Sequence, residues 1–335
     1  MPRGLTGWRI ENVACASGWF RVRCNDDGPL GGRTREKPVA TTMDLRLRRS
    51  VLYMPGSNQR ALDKAKTLPV DSIILDLEDA VGPEEKEVAR TQVCAAVKSG
   101  AYGSRELIIR VNAPQTPWGE ADLHAAIEAK PDAILMPKVS SPAVLESIAD
   151  RLESLDAPDG IAIWAMIETP ASILNIQDIA RAKRDPRNRL TCLVLGTNDL
   201  AKDTWAKIVP GRVPMLPWMM MALAAARAEG LAILDGVYND IADTEGCREE
   251  CRQARDLGFD GKTLIHPTQL EPANTSFAPT DEEVRRAKLV IEAFERPEYA
   301  KRGAIKLEGR LYERQHLGVN RRAVTWAEAI KAKGF

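Results

Sequence analysis

From residue 50 onward the chain alternates between two hydrophobic patterns. Short apolar runs, many of them β-branched, fall at 50–54, 72–77, 106–111, 133–137, 161–167, 190–195, 232–236 and 262–265, eight in all. Each is nearly continuous rather than alternating, which is how a strand buried on both faces reads. Amphipathic stretches with helix punctuation lie between them. Asn58 precedes a helix over 59–68, Pro83 stands in the first turn of one reaching Lys98, Pro142 opens another through Leu155, and the last covers 281–295. Gly100, Gly230 and Gly258 stand where such helices would stop. Eightfold alternation predicts a parallel sheet covered by helices. Eight units favour a closed α/β barrel, the (β/α)8 TIM barrel, over an open sheet.

The length of 335 residues suits a barrel of roughly 250 residues with additions. Residues 1–45 show neither helix nor strand periodicity and are expected to form an irregular N-terminal extension. Met43 offers a second start, and Glu11, Asp26, Asp27 and Glu36 argue against an acid-poor transit peptide. A disordered tail or a misplaced start is the simpler expectation. The barrel is expected over 46–299, with a C-terminal lid segment and helix over 300–335. The first strand ends Met54-Pro55-Gly56-Ser57, which is neither a dinucleotide fingerprint nor a Walker loop, so a nucleotide-binding doubly wound fold drops out. Trp218 to Met221 open an alanine-rich helix and read as core or subunit contact.

Lysine plus arginine balance aspartate plus glutamate, 47 to 47, so no net field draws the chain to nucleic acid or to a membrane surface. Small molecules and copies of itself are the expected partners. No apolar run reaches the ~18 residues of a membrane span, and no secretory signal opens the chain. Six scattered cysteines (Cys15, Cys24, Cys94, Cys192, Cys247, Cys251) suggest reduced thiols in a cytoplasmic setting. Cys247 and Cys251 are spaced for one helix face, but no histidine or third cysteine stands near them, which favours packing over zinc.

The chemistry gathers where the strands end. In such a barrel the carboxyl ends of the strands share one mouth. Here they carry Asp76-Leu77-Glu78-Asp79, Arg110-Val111-Asn112, Pro137-Lys138, Glu168-Thr169, Gly196-Thr197-Asn198-Asp199, Asp235-Gly236 and His266-Pro267. Crowded carboxylates repel unless a cation or a guanidinium compensates them. Glu168 and Asp199 end consecutive strands and could share an ion. Hard oxygen ligands favour Mg²⁺, with Mn²⁺ as the alternative. Arg110 is the natural counter-charge to Glu78 or Asp79. Structural ion pairs and helix caps would use the same residue types.

The motifs RSVLYMPGS (49–57), ILDLEDAV (74–81), IIRVNA (108–113), LMPKV (135–139), AMIET (165–169), GTNDLAK (196–202), LDGVYND (234–240) and GFDGKTLIHPTQLEPAN (258–274) resemble the HpcH/HpaI aldolase and citrate lyase β-subunit-like CoA ester lyases, the group containing malyl-CoA and citramalyl-CoA lyases. The likeness covers about 48–328. It implies a Mg²⁺-dependent barrel that cleaves or forms a 3-hydroxyacyl-CoA, giving acetyl-CoA plus a 2-oxo acid such as glyoxylate or pyruvate. Glu168 and Asp199 would be the metal ligands. Arg110 would stabilise the enolate oxygen, while Glu78 and Asp79 would position Arg110 and metal-bound water. Arg49 and the loop at Pro267 would lie along the CoA arm. Lys138 would be structural or substrate-contacting rather than a Schiff-base nucleophile.

One position departs from the lyase pattern. Residues 303–314 resemble the family's C-terminal lid, which closes over a neighbouring subunit's mouth and implies a homo-oligomer, a trimer or hexamer. Glu313 stands where the lyases carry a catalytic aspartate. A glutamate there resembles the malyl-CoA thioesterase branch, in which the thioester is hydrolysed. A catalytically silent acyl-CoA-binding barrel is the remaining expectation, from a different class.

Overall fold

The computed structural model describes residues 46–334; the extension expected over 1–45 lies outside the described residues. Eight parallel strands close into a barrel in sequence order: β1 (Ser50–Pro55), β2 (Ser72–Asp76), β3 (Glu106–Arg110), β4 (Ala133–Met136), β5 (Ala162–Ile167), β6 (Leu190–Leu195), β7 (Ala232–Asp235) and β8 (Gly261–Leu264), with β8 pairing back onto β1. Helices follow the strands around the outside. They are α1 (Gln59–Ala65), α2 (Lys86–Lys98), α3 (Gly119–Ala129), α4 (Pro142–Ser154), α5 (Pro170–Leu174), α6 (Ile176–Arg181), α7 (Thr197–Thr204), α8 (Leu216–Ala228), α9 (Thr244–Leu257), α10 (Leu270–Ser276) and α11 (Asp281–Glu295). The expected (β/α)8 barrel is the fold.

Local chemistry explains the boundaries. Asn58 accepts from the N–H of Ala61 to open α1, and Thr280 with Glu283 forms a reciprocal capping box at α11. Gly258 ends α9 in the left-handed conformation, φ 111°. Alternate strand residues point inward. Val51, Ile74, Ile108, Leu135, Trp164, Val194 and Leu234 fill the lumen as a packed layer, so the barrel is not a pore. Outward residues join the helices in the larger core. On α8 Met219 is buried whereas Met220 and Met221 are partly exposed, so the methionine run divides between core and surface.

The floor of the barrel, at the N-terminal ends of the strands, is closed by charge pairs. Arg48 grips Glu106 through Nε and Nη2 at 2.8 and 2.7 Å and lies over the Trp164 ring. Arg49 grips Asp71 at 2.8 and 3.0 Å. Beyond α11 come a hairpin, β9 (Ala304–Leu307) with β10 (Arg310–Glu313), and a long helix, α12 (Leu317–Lys333). The hairpin packs on α11 through Ile305, Val290 and Phe294. α12 runs beneath the floor, pairing Arg322 with Asp260 and Lys333 with Asp71.

Candidate active site

At the mouth, Asp76 and Arg110 are opposite each other in the β2–β3 register, each the last residue of its strand. Arg110 donates from Nε and Nη2 to the two oxygens of Asp76 at 2.7 and 2.6 Å, a bidentate fork on a fully buried carboxylate. The same carboxylate accepts the N–H groups of Glu78 and Ala80 at 2.9 and 3.1 Å. Asp76 therefore shapes the acidic turn as well as the arginine. Arg110 Nη1 lies 2.9 Å from Glu78 and 3.3 Å from Asp79. The Tyr53 ring stacks against the guanidinium at 4.8 Å. Burial works against the charge on Arg110, but the field of Asp76 and the neighbouring acids outweighs it and holds the group protonated. From outside the mouth, buried Lys86 donates to the carbonyls of Leu77 and Glu78 and to Asn112 at 2.7–2.8 Å, pinning the turn.

Glu168, immediately after β5, faces a different environment. Its Oε1 accepts the backbone N–H of Lys138 at 2.7 Å, while Oε2 is buried without a hydrogen-bond partner. Burial, then the charge of Glu78, pushes its carboxyl up to about 8. An orphaned buried carboxylate oxygen is unfavourable unless something cationic meets it. Oε2 lies beside Gly196, at the start of α7, whose first turn carries Asp199. The negative charge of Asp199 adds to the upward push on Glu168. Asp199 itself is partly exposed, with Lys202 at 3.3 Å. These are hard oxygen donors, one of them unsatisfied, and they fit a divalent cation such as Mg²⁺. Among the described residues no group of three or more His, Cys, Asp or Glu side chains is arranged for an ion, so the remaining shell would come from water and substrate, as Mg²⁺ tolerates.

Gly196 sets the room for Glu168. A Cβ there would stand 2.4 Å from Glu168 Cβ and 2.6 Å from Oε2. Its φ of −102° is ordinary, so alanine is permitted by the backbone and refused by the neighbour. Gly196→Ala is expected to leave the fold intact by circular dichroism and to lower turnover by about 10²-fold, the effect of displacing a reacting group by about 1 Å.

The structure brings Glu78, Asp79, Arg110, Glu168 and Asp199 to one mouth, and Lys138 joins them with Nζ 3.3 Å from Glu78. Pro267, half-buried, starts the short turn after β8 on the same end. Arg49 requires a correction. It precedes β1, is buried on Asp71 at the floor, and so stands at the opposite end from any CoA arm entering the mouth. Glu313 ends β10 on the outside of the barrel, where its carboxylate accepts from Gln315 Nε2; among the described residues it makes no hydrogen bond to a mouth group. Cys247 and Cys251 are buried in the core on α9. Sequence reasoning did not assign Asp76 the arginine clamp or Lys86 its buried support. Asp76 could have been found by aligning the strand ends, since parallel register puts it opposite Arg110. Lys86 follows two glutamates and reads as a solvated first turn.

A family model described as HpcH/HpaI aldolase/citrate lyase matches residues 49–267. The chain is 48% identical over 284 residues to a (3S)-malyl-CoA thioesterase of Cereibacter sphaeroides strain KD131, covering 85% of this chain and 96% of that one. It is 36% identical over 274 residues to the citrate lyase subunit beta of Leuconostoc mesenteroides subsp. cremoris, covering 80% and 89%. The structure of protein CitE from Mycobacterium tuberculosis in complex with magnesium, acetoacetate and coenzyme A superposes with a TM-score of 0.68 at 27% identity, covering 83% of this chain and 97% of that one. With over half its length matched by the model and the strand-end groups assembled at one mouth, the chain belongs to an enzyme family, the HpcH/HpaI aldolases and citrate lyases.

Proposed function

We propose that the protein is a Mg²⁺-dependent enzyme acting on a 3-hydroxyacyl-CoA of the malyl-CoA type, and that its net reaction is hydrolysis of the thioester to the free hydroxy acid and CoA. The observation that carries the cation and acyl-CoA reading is the buried, unpartnered Glu168 Oε2 beside Gly196, at a mouth that also holds Asp199 and the clamped Arg110. Glu313 and the 48% identity to a (3S)-malyl-CoA thioesterase support the hydrolytic outcome. A Mg²⁺ held by Glu168 and Asp199 would supply Lewis-acid polarisation to the hydroxy-carboxylate end of the acyl group.

The chain's own residues do the rest. Arg110 offers fixed N–H donors where negative charge develops on the thioester oxygen, and Asp76 keeps those donors aimed. Glu313 from a neighbouring copy takes a proton from the attacking water. The water oxygen bonds to the thioester carbon, the carbon–sulfur bond breaks, and the proton passes to the departing sulfur. Pro267 borders the path of the CoA arm.

A second reading keeps the same mouth and breaks a carbon–carbon bond instead. The base then removes the 3-hydroxyl proton, and acetyl-CoA leaves as its enolate at Arg110 while glyoxylate or pyruvate departs. The citrate lyase likeness and the complete set of mouth residues favour it. The two separate in one assay of malyl-CoA and citramalyl-CoA, with and without EDTA. Thiol release without oxo acid supports hydrolysis, and oxo acid in step with acetyl-CoA supports cleavage. Full activity in chelator would remove the metal from both readings. Glu313→Asp is expected to raise the ratio of oxo acid to thiol at least several-fold, because one methylene moves the base by about the 1 Å that such chemistry resolves.

A further inference from the structure

Seven described non-glycine residues have positive φ, and several close a regular element: Lys130 and Trp205 are the C-caps of α3 and α7, and Glu308 stands in the β9–β10 turn. Lys138, with φ 53°, closes no helix or hairpin. It follows β4 at the mouth, and its N–H is diverted from the sheet ladder to Glu168 Oε1 at 2.7 Å. The next residue returns at once to the ladder, Val139 donating to the Met166 carbonyl at 3.3 Å. One peptide is thus turned aside for one carboxylate. Left-handed backbone suits glycine and asparagine far better than lysine, and persists elsewhere only when the surroundings over-determine it. The surrounding restraint is visible here: the backbone of Lys138 is held by Glu168 while its Nζ is tied to a second carboxylate, Glu78 Oε1, at 3.3 Å.

We propose that Lys138 is a positioning residue for the cation site: its left-handed backbone occupies Glu168 Oε1 and so selects Oε2 as the oxygen presented to the metal, with the Nζ–Glu78 tie holding that conformation. The role rests on the cation reading above and adds which residue fixes the ligand's orientation. It also fixes a sign. If Lys138 acted only through its charge, every uncharged replacement would shift cation affinity alike, and upward. If it acts through its backbone, affinity follows the left-handed preference of the replacement.

The test uses the full chain, Mn²⁺ alone as probe, and electron paramagnetic resonance of the free ion, with melting curves recorded without metal. Lys138→Gly and Lys138→Asn are expected to bind Mn²⁺ within about threefold of the native protein, Lys138→Ala more weakly, and Lys138→Val at least about tenfold more weakly, in the order of left-handed tolerance. Should Lys138→Val not fold, the glycine-to-alanine difference carries the same sign. Equal affinity across the series, or tighter binding by all of it, overturns the role of Lys138 while leaving the cation site standing. Native protein that binds no Mn²⁺, or binds it equally well after Glu168→Gln, overturns the cation reading and this role with it.

Discussion

Glu168→Gln is expected to lower turnover of a malyl-CoA-type substrate by about 10²- to 10³-fold, the scale on which removing one group that stabilises developing charge is felt, and to weaken Mn²⁺ binding in parallel. The same substitution should make the metal-free protein more stable above neutral pH. The reason is the sign of the linkage. Burial raises the folded-state pKa of Glu168 to about 8, well above an ordinary carboxylate, so the folded chain holds a proton that the unfolded chain has released. Stability is then lost as pH rises from about 4.5 towards 8, by an amount on the order of a few kcal/mol. A divalent cation replaces that proton and should flatten the decline. Urea melts at pH 5 and pH 8, with and without Mg²⁺, check it. A native protein whose metal-free stability is flat over that range, or unaffected by Mg²⁺, contradicts the account.

Arg110→Lys should lower kcat/KM by about 10²- to 10³-fold, although charge is retained. Lysine cannot span both Asp76 oxygens, so the donors offered to the substrate lose their direction and Asp76 keeps, beside its two backbone N–H donors, one poorly matched cation. Arg110→Met goes further, leaving Asp76 buried and uncompensated, and should destabilise the fold by about 3–5 kcal/mol. The double variant Asp76→Asn with Arg110→Met should recover much of that stability and none of the activity. Kinetics with denaturant melts separate the two effects. Arg110→Lys working at the native rate would show that the fork with Asp76 has no part in turnover.

The barrel was legible because buried parallel strands are continuous apolar runs, and all eight fall within about a residue of their expected limits. Helix punctuation located α1 and α4 in the same way, through Asn58 and Pro142. What escaped depended on geometry that a linear pattern does not carry. The partner of Arg110 is set by register across β2 and β3, which selects Asp76 over Glu78 and Asp79 as its bidentate anchor. The left-handed turn at Lys138 leaves no compositional trace. The β9–β10 hairpin turns on Glu308 and Gly309, both at positive φ, within strands of four residues too short to show alternation. Arg49 was misplaced for a simpler reason. A residue ahead of its strand belongs to the floor, and that directional fact outweighs any likeness of motif.

The floor carboxylates Glu106 and Asp71 are held by Arg48 and Arg49, with Arg46 and Lys333 beside them, and a neutral apolar plug of lumen side chains separates these ion pairs from the mouth. The upper rim can therefore gain or lose two units of charge as an ion comes and goes while the foundation keeps its arrangement. Re-tailoring the rim for another acyl group should leave the underlying scaffold undisturbed.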